Sequence, residues 1–386
     1  YPIPTRKQQV MSRIPDAEIL YFDPSVTYLA PLKDKAARPG LSSYKKEGVH
    51  PQENITVYSL PPVLPFFYKF RWINKLNQRR MARFVRRKMQ AHGFTDAVLW
   101  VYSPVTADLV DLVPHKGLVY DCVDRHSAYG GLMDPALVDR MELELAGKTE
   151  RTFATADALA ERLRAAQPNT VMIPNGANFE RFVQAAQPQP VPEDLRDIPH
   201  PIFGFVGALQ SCIEYDYLEA AAKARPDWSF VLIGKEKPGV DLTALHAMPN
   251  VHFLGLKPNE QLPQYLAHFD ACLNLFAKSD LSKDVSPLKF YEYLATGRPI
   301  VSTRQPDQIL QYAPLIHIAD DAAGFAAACE AALCDTQPEE FIAACKASLT
   351  DTAPERTKAR IEAGRACSWD SRVAQMCEIL QEQGIL

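Results

Sequence analysis

The chain has 386 residues, more than one hydrophobic core usually serves, so two domains are expected. Apolar residues at 47% and charged residues at 23% exclude a disordered protein. No apolar run approaches the ~18 residues that span a bilayer, and the opening YPIPTRKQQV lacks the apolar core of a signal peptide. The net charge of −4 conceals two unlike halves: residues 1–188 hold 25 Lys and Arg against 19 Asp and Glu, and the remainder holds 17 against 27. A basic first half beside an acidic second half suggests two bodies with different partners, without naming them.

In the first half, Glu18–Phe22, Ile55–Ser59, Ala97–Tyr102, Gly117–Asp121, Arg151–Thr155 and Thr170–Ile173 read as strands, and Lys69–Ala91, Pro135–Gly147 and Ala156–Ala166 as helices. The residues after Tyr1 supply no apolar strand of the kind that normally opens such a domain, so the first strand is expected to be missing.

The stretch Lys69–Lys88 carries nine basic residues and no acidic one: Lys69, Arg71, Lys75, Arg79, Arg80, Arg83, Arg86, Arg87 and Lys88. Trp72, Ile73, Leu76, Met81, Phe84, Val85 and Met89 interleave with them at roughly helical spacing, after Pro65-Phe-Phe-Tyr68. A basic amphipathic helix with aromatics can lie on an anionic membrane surface. The competing reading is an apolar stripe packed on the first domain with a solvated basic face. Nucleic-acid binding fits poorly with the acidic second half and the lack of a recognisable module.

Asp121, Asp124 and His126 follow the strand Gly117–Asp121. A carboxylate or imidazole there can deprotonate a hydroxyl; the plainer role is to hold the loop.

Pro188, Pro190, Pro192, Pro199 and Pro201 crowd one stretch and suggest a linker, giving domains over 1–190 and 200–352. After it, strands and helices alternate. Ile202–Val206, Ser229–Ile233, Val251–Leu254, Ala271–Phe276 and Pro299–Ser302 are strands, while Tyr215–Ala224, Glu260–His268 and Leu288–Ala295 are helices. Short buried strands alternating with helices imply a parallel sheet covered on both faces. Residues 353–386 read as mostly helical around Trp369. Eight cysteines without a CxxC pair, at 122, 212, 272, 329, 334, 345, 367 and 377, favour buried thiols in a reducing cytoplasm over zinc ligation or disulfides.

The most informative stretch is Asp284-Val-Ser-Pro-Leu-Lys-Phe-Tyr-Glu-Tyr-Leu-Ala-Thr-Gly-Arg-Pro-Ile-Val-Ser-Thr303. A polar loop enters a helix near Pro287, Gly297 ends it, and a buried strand follows. A helix N-terminus presents free N–H groups and partial positive charge, which suits a diphosphate. Lys289 adds a full charge there, and Glu292, one turn on, can accept ribose hydroxyls. An ordinary surface helix is the alternative on pattern alone.

This stretch resembles the donor-site signature of GT-B glycosyltransferases related to family GT4, with Asp284 where Glu is usual and Glu292 eight positions later. Further segments match in order: Tyr120-Asp-Cys-Val-Asp-Arg-His-Ser127, Phe153-Ala-Thr155 through Leu163, Ile173-Pro-Asn-Gly-Ala177, Arg181-Phe182, Gly204-Phe-Val-Gly207, Trp228–Gly234, Asn250–Gly255 and Phe269–Phe276. The likeness covers roughly residues 95–310 and is nearest to teichuronic-acid-type and capsular transferases. It implies two Rossmann-like domains facing across a cleft, the donor on the second domain, and residues 353–386 crossing back to the first. It further implies that Gly207 and Gly234 let backbone approach the phosphates, that Lys235 faces them, and that the Leu254–Pro258 segment holds the base. Ser286, Pro287, Leu288 and Lys289 then surround diphosphate and sugar, and Glu292 binds ribose.

Two departures stand out. The loop Ala208–Glu214 contains no basic residue where relatives often carry Arg and Lys, and Tyr102 stands where a His is common. Retention and inversion both stay open. No metal is required by this reading. The expected function is transfer of a hexosyl group from a nucleoside diphosphate sugar, UDP preferred over GDP, to a glycan or lipid-linked acceptor in surface polysaccharide synthesis. The setting is the cytoplasm, with peripheral contact to the inner face of the membrane. A GT-B nucleotide-sugar epimerase or a non-catalytic GT-B binding subunit are the alternatives.

Overall fold

The computed structural model describes residues 5–279, 281–319, 342–351 and 353–386. The chain divides into two units: residues up to Pro174 together with Arg372–Leu386, and Asn175–Ser371.

Unit 1 contains two sheets. Strands β1 (Ile19–Asp23), β2 (Val49–Gln52) and β3 (Ile55–Ser59) pair in the order β1-β3-β2, β3 running parallel to β1 and antiparallel to β2. Strand β2 was not expected: its sequence VHPQ is wholly exposed and includes a proline, features tolerated at a sheet edge and invisible to an apolar pattern. Strands β4 (Val98–Val101), β5 (Gly117–Cys122), β6 (Arg151–Ala154) and β7 (Val171–Met172) form a parallel sheet in chain order. Every residue of β5 is buried, as expected of a strand covered on both faces, including the carboxylate of Asp121 near its end.

The helices of this unit are α1 (Arg6–Met11), α2 (Ala30–Lys33), α3 (Arg71–Ala91), α4 (Pro135–Lys148) and α5 (Asp157–Arg164). Asp134 starts α4 by accepting the Leu137 N–H, with Pro135 in the first turn. Helix α3 buries Ile73, Met81, Phe84, Val85 and Met89. Its amides tie it to the surrounding chain: Asn77 exchanges two hydrogen bonds with the backbone of Leu64, and Asn74 donates to Val105 O and Asp108. Strands β1 and β4 each end their sheet, and both line one cavity of about 980 Å³ together with Met81 and Val85 of α3.

Unit 2 is one six-stranded parallel sheet of β8 (Ile202–Val206), β9 (Ser229–Ile233), β10 (Val251–Gly255), β11 (Ala271–Asn274), β12 (Ile300–Thr303) and β13 (His317–Ala319). The spatial order β10-β9-β8-β11-β12-β13 is that of a doubly wound sheet, in which the winding reverses between β8 and β11. Helices α6 (Phe179–Phe182), α7 (Tyr215–Ala224), α8 (Thr243–His246), α9 (Leu262–Leu266) and α10 (Leu288–Thr296) connect and cover it. They are followed by α11 (342–349), α12 (Pro354–Ala366) and α13 (Trp369–Glu382).

The division between units falls at Pro174/Asn175, ahead of the proline-rich stretch. Phe179, Phe182, Ala185 and Leu195 bury themselves in the unit 2 core beside Phe269 and Phe290, so the segment through the prolines packs as part of that unit. In the C-terminal segment, α12 belongs to unit 2, and the chain from Arg372 onward belongs to unit 1.

Cys122, Cys272, Cys345, Cys367 and Cys377 are buried, Cys212 is half-buried, and Cys329 and Cys334 lie outside the described residues. Among the described residues no helix is long and apolar enough to cross a membrane.

Candidate functional site

Open doubly wound sheets bind ligands beyond the carboxyl ends of their strands, at the point where the winding reverses. In unit 2 that point is the end of β8. Three glycines finish adjacent strands there. Gly207 follows β8 and donates its N–H to Ile233 O, while Gly234 follows β9 and donates to Gly255 O at the end of β10. Gly234 is the glycine that the geometry demands: at φ +156° a Cβ on it would lie 1.7 Å from Gly207 O. At Gly207 a Cβ would meet only the Phe205 ring, at 3.0 Å. The loop after β8 is tied down by Leu209, whose N–H donates to Lys235 O and whose carbonyl accepts from Lys237 N–H. This leaves the Lys235 side chain exposed.

Helix α10 is fixed against that strand end by Tyr293. Its hydroxyl accepts the Val206 N–H at 2.8 Å and donates to Val206 O at 3.3 Å. The ladder between β8 and β11 pairs only Phe203 and Gly204, so the phenol serves Val206 where the sheet no longer does. Burial drives the Tyr293 phenol far above its ordinary pKa, keeping it a neutral donor and acceptor. At the other end Gly297 adopts φ +72° and closes the helix with its N–H on Leu294 O. The buried Arg360 of α12 donates to Gly297 O and to Asp351. Gly364 lets α12 lie against α10 backbone to backbone: a Cβ there would come within 2.5 Å of Ala295 N.

The N-terminus of α10 has no side-chain cap and no acidic residue in its first turn. Its orphan N–H groups and partial positive charge are therefore available to an anion. Pro287 occupies the cap position and is buried, and Leu288 is half-buried. Ser286 is held from both sides by Asn175, whose N–H donates to Ser286 Oγ at 2.9 Å and whose amide donates to Ser286 O at 3.0 Å. Lys289 Nζ sits 3.0 Å from Glu292 Oε2, with Glu292 buried and Lys289 partly open. Asp284 is buried in the turn ahead of the helix, and Leu254 is half-buried on β10 against the unit 2 core. Ser286, Pro287, Leu288, Lys289 and Glu292 thus follow one another along α10 and its approach, and Tyr293 sets that helix at the end of β8.

In unit 1, β5 delivers the other candidates. Asp121 has a different task from the one its motif suggests. It is fully buried, and Arg6 Nε reaches both carboxylate oxygens, at 2.9 and 3.1 Å, while Arg6 Nη1 donates to Pro174 O. A carboxylate so enclosed holds α1 to the strand end. Asp124 is exposed and accepts a hydrogen bond from Tyr129 OH at 2.8 Å. Lys7, near both aspartates, has its pKa lowered because burial outweighs their attraction.

His126 is buried with Nδ1 3.6 Å from Glu142 Oε1. Glu142 lies on the inward face of α4 and takes hydrogen bonds from Tyr120 OH and Arg162. Burial alone would raise its pKa, but His126, Arg162 and Tyr120 together pull it down to about 2. The Glu142 carboxylate thus lies beside the His126 ring as a negative charge at the end of β5.

Tyr293, Glu142, Asn175 and Arg360 were not singled out from sequence. A carboxylate on the buried stripe Val138, Met141, Leu145 and a phenol inside an apolar helix were the available signals, since each needs a partner when buried. Among the described residues no cluster of three or more His, Cys, Asp or Glu could hold a metal ion.

Residues 200–335 match the family described as Glycosyl transferases group 1. A curated relative, the putative teichuronic acid biosynthesis glycosyltransferase TuaH of Bacillus subtilis, is 25% identical over 259 residues. The match takes in 63% of this chain and 65% of the length of TuaH, a little under two thirds. Among solved structures, sucrose-phosphate synthase from Thermosynechococcus elongatus superposes with a TM-score of 0.66 at 13% identity, over 97% of this chain and 91% of that one. HepE of Anabaena, in complex with UDP and glucose, gives 0.59 at 15% identity, over 95% and 99%.

Proposed function

We propose that this chain, a GT-B protein related to the group 1 glycosyl transferases, transfers a hexosyl group from a nucleoside diphosphate sugar to a hydroxyl of a glycan or lipid-linked acceptor in surface polysaccharide synthesis. The observation that carries this reading is the uncapped N-terminus of α10, bearing Lys289 and Glu292 and pinned by Tyr293 at the winding reversal of the unit 2 sheet.

The chemistry follows from charge. Breaking the bond between the anomeric carbon and the diphosphate oxygen leaves negative charge on the departing group. The N–H groups of α10 and Lys289 stabilise that charge in place, so no reorganisation is needed during the reaction. Glu292 accepts hydrogen bonds from the ribose hydroxyls, and Lys289 leaves its carboxylate for the phosphates when the donor arrives. Gly207, Gly234 and Lys235 border the phosphates, and Leu254 lies toward the base. Unit 1 holds the acceptor. His126, backed by Glu142, takes the acceptor proton, and Asp124 is the second candidate for that role. UDP is the preferred carrier, matching the ligand named for HepE. The buried thiols Cys122, Cys272 and Cys345 support work in a reducing cytoplasm.

A thermal-shift screen against UDP, GDP, ADP, CMP and dTDP, repeated on Glu292→Ala, tests the donor site. A ligand at a hundredfold excess over its Kd stabilises the native state by about 2.7 kcal/mol. The expected result is a shift with UDP that Glu292→Ala abolishes. No shift with any nucleotide would overturn the reading. His126→Asn is expected to retain the UDP shift and lose turnover.

A further inference from the structure

Helix α3 has two faces, and the fold uses one. Ile73, Met81, Phe84, Val85 and Met89 are buried against unit 1. On the opposite side Trp72, Leu76, Arg79, Arg83 and Arg86 recur at alternating intervals of four and three, which keeps them in a single line along a 3.6-residue helix. Trp72 is 67% and Leu76 49% exposed, and Phe70 just ahead is 44% exposed. Arg79, Arg83 and Arg86 are exposed, and no ion pair reaches them among the described residues. No acidic residue occurs between Glu53 and Asp96. Arg71, on the flank, is the contrast: Asp108 and Glu144 engage it.

We propose that this outer stripe seats the protein on a membrane surface rich in anionic phospholipid. Phe70, Trp72 and Leu76 enter the boundary between headgroups and acyl chains, and Arg79, Arg83 and Arg86 pair with lipid phosphates. A face that only needed solvation would not carry a two-thirds-exposed tryptophan and an exposed leucine one turn apart. Tryptophan, apolar in body with one polar N–H, suits the headgroup level, and guanidinium forks match phosphate oxygens. Apolar residues at one end of a line and three arginines along the rest is the pattern of a helix lying in the interface plane. The single-sign charge complements anionic lipid and would repel a basic partner. The proposal goes beyond the transfer reaction and does not depend on it.

The test is co-sedimentation of the full chain with phosphatidylcholine vesicles, with and without phosphatidylglycerol, alongside tryptophan emission. Each cation near an anionic surface contributes roughly fivefold to partitioning, so R79Q/R83Q/R86Q should weaken binding to the anionic vesicles on the order of a hundredfold. W72A/L76A should also weaken it, and W72F should remove most of the vesicle-induced blue shift, since Trp228 and Trp369 are buried and Trp100 is half-buried on β4. All three variants alter exposed positions, so melting temperature and nucleotide response should match the parent. That comparison separates failure of this surface from failure of the donor site. Equal binding to pure phosphatidylcholine, or unchanged binding of the triple arginine variant, would overturn the proposal. Tighter capture by an RNA duplex that displaces the vesicles would do the same.

Discussion

Replacing Tyr293 with Phe removes one oxygen and tests whether α10 is set by the end of β8. The ring stays packed among buried residues of the unit 2 core, so the substitution leaves no large cavity. The loss is the hydroxyl that accepts from Val206 N–H and donates to Val206 O. Both backbone groups are buried, and the neighbouring ladder has already ended at Gly204. An unsatisfied buried group costs about 1–3 kcal/mol; taking about 2 kcal/mol for a unit of this size, the melting midpoint falls by about 4–8 °C. Freed from Val206, α10 should also spend less time where Lys289 and Glu292 meet a nucleotide. If its competent position is occupied about one tenth of the time, the apparent Kd for UDP rises about tenfold. Calorimetric melting of the variant, with and without UDP, reads both quantities. A midpoint and an affinity indistinguishable from the parent would refute the role of Tyr293. A weakened affinity with an unmoved midpoint would mean that the phenol touches the nucleotide instead.

Three further outcomes follow from the same packing. Gly234→Ala places a Cβ 1.7 Å from Gly207 O, so the ends of β8 and β9 must part; we expect a loss above about 3 kcal/mol, read by urea unfolding. Arg360→Met leaves the Asp351 carboxylate buried with His317 and Arg356 as its remaining partners, and should cost about 3–5 kcal/mol in the same assay. Glu142 has a folded pKa near 2 against an ordinary 4.5, so its contribution is fully present above pH 4.5 and disappears as pH falls toward 2. That contribution is about 3 kcal/mol, and Glu142→Gln should remove this part of the acid sensitivity of the urea midpoint between about pH 4.5 and 2.

The second unit was largely legible, because β8, β9, β11 and β12 are unbroken buried runs, whereas the short, partly exposed β13 leaves no such signal. Ile202–Val206 and Ser229–Ile233 were expected with the bounds that the structure gives. The helix read as Leu288–Ala295 runs one residue further, to Thr296, and its terminating Gly297 was plain, since a left-handed cap leaves a glycine in the sequence. The proline-rich stretch misled on where the units divide. Prolines report that a segment is neither helix nor central strand; they do not report where it packs, and Leu195 is buried among them. The site was half legible. Lys289 and Glu292 announce themselves by charge at a helix start. Tyr293 and Glu142 act through partners distant in sequence, 87 and 22 positions away, which no local pattern records. Asp121 was read for chemistry because it ends a strand, and only the three-dimensional position of Arg6 shows its carboxylate to be committed elsewhere.

The cavity between β1 and β4 bears on how unit 1 behaves outside its native state. Among the described residues each of these strands has a strand neighbour on one side only, and residues from both line the same apolar space. Unpaired strand edges are templates for another extended chain, and regions with few buried contacts open first. Unit 1 should therefore exchange its amide hydrogens at Ile19–Phe22 and Val98–Val101 before the strands of unit 2 do. Self-association in concentrated solution should begin along the same edges.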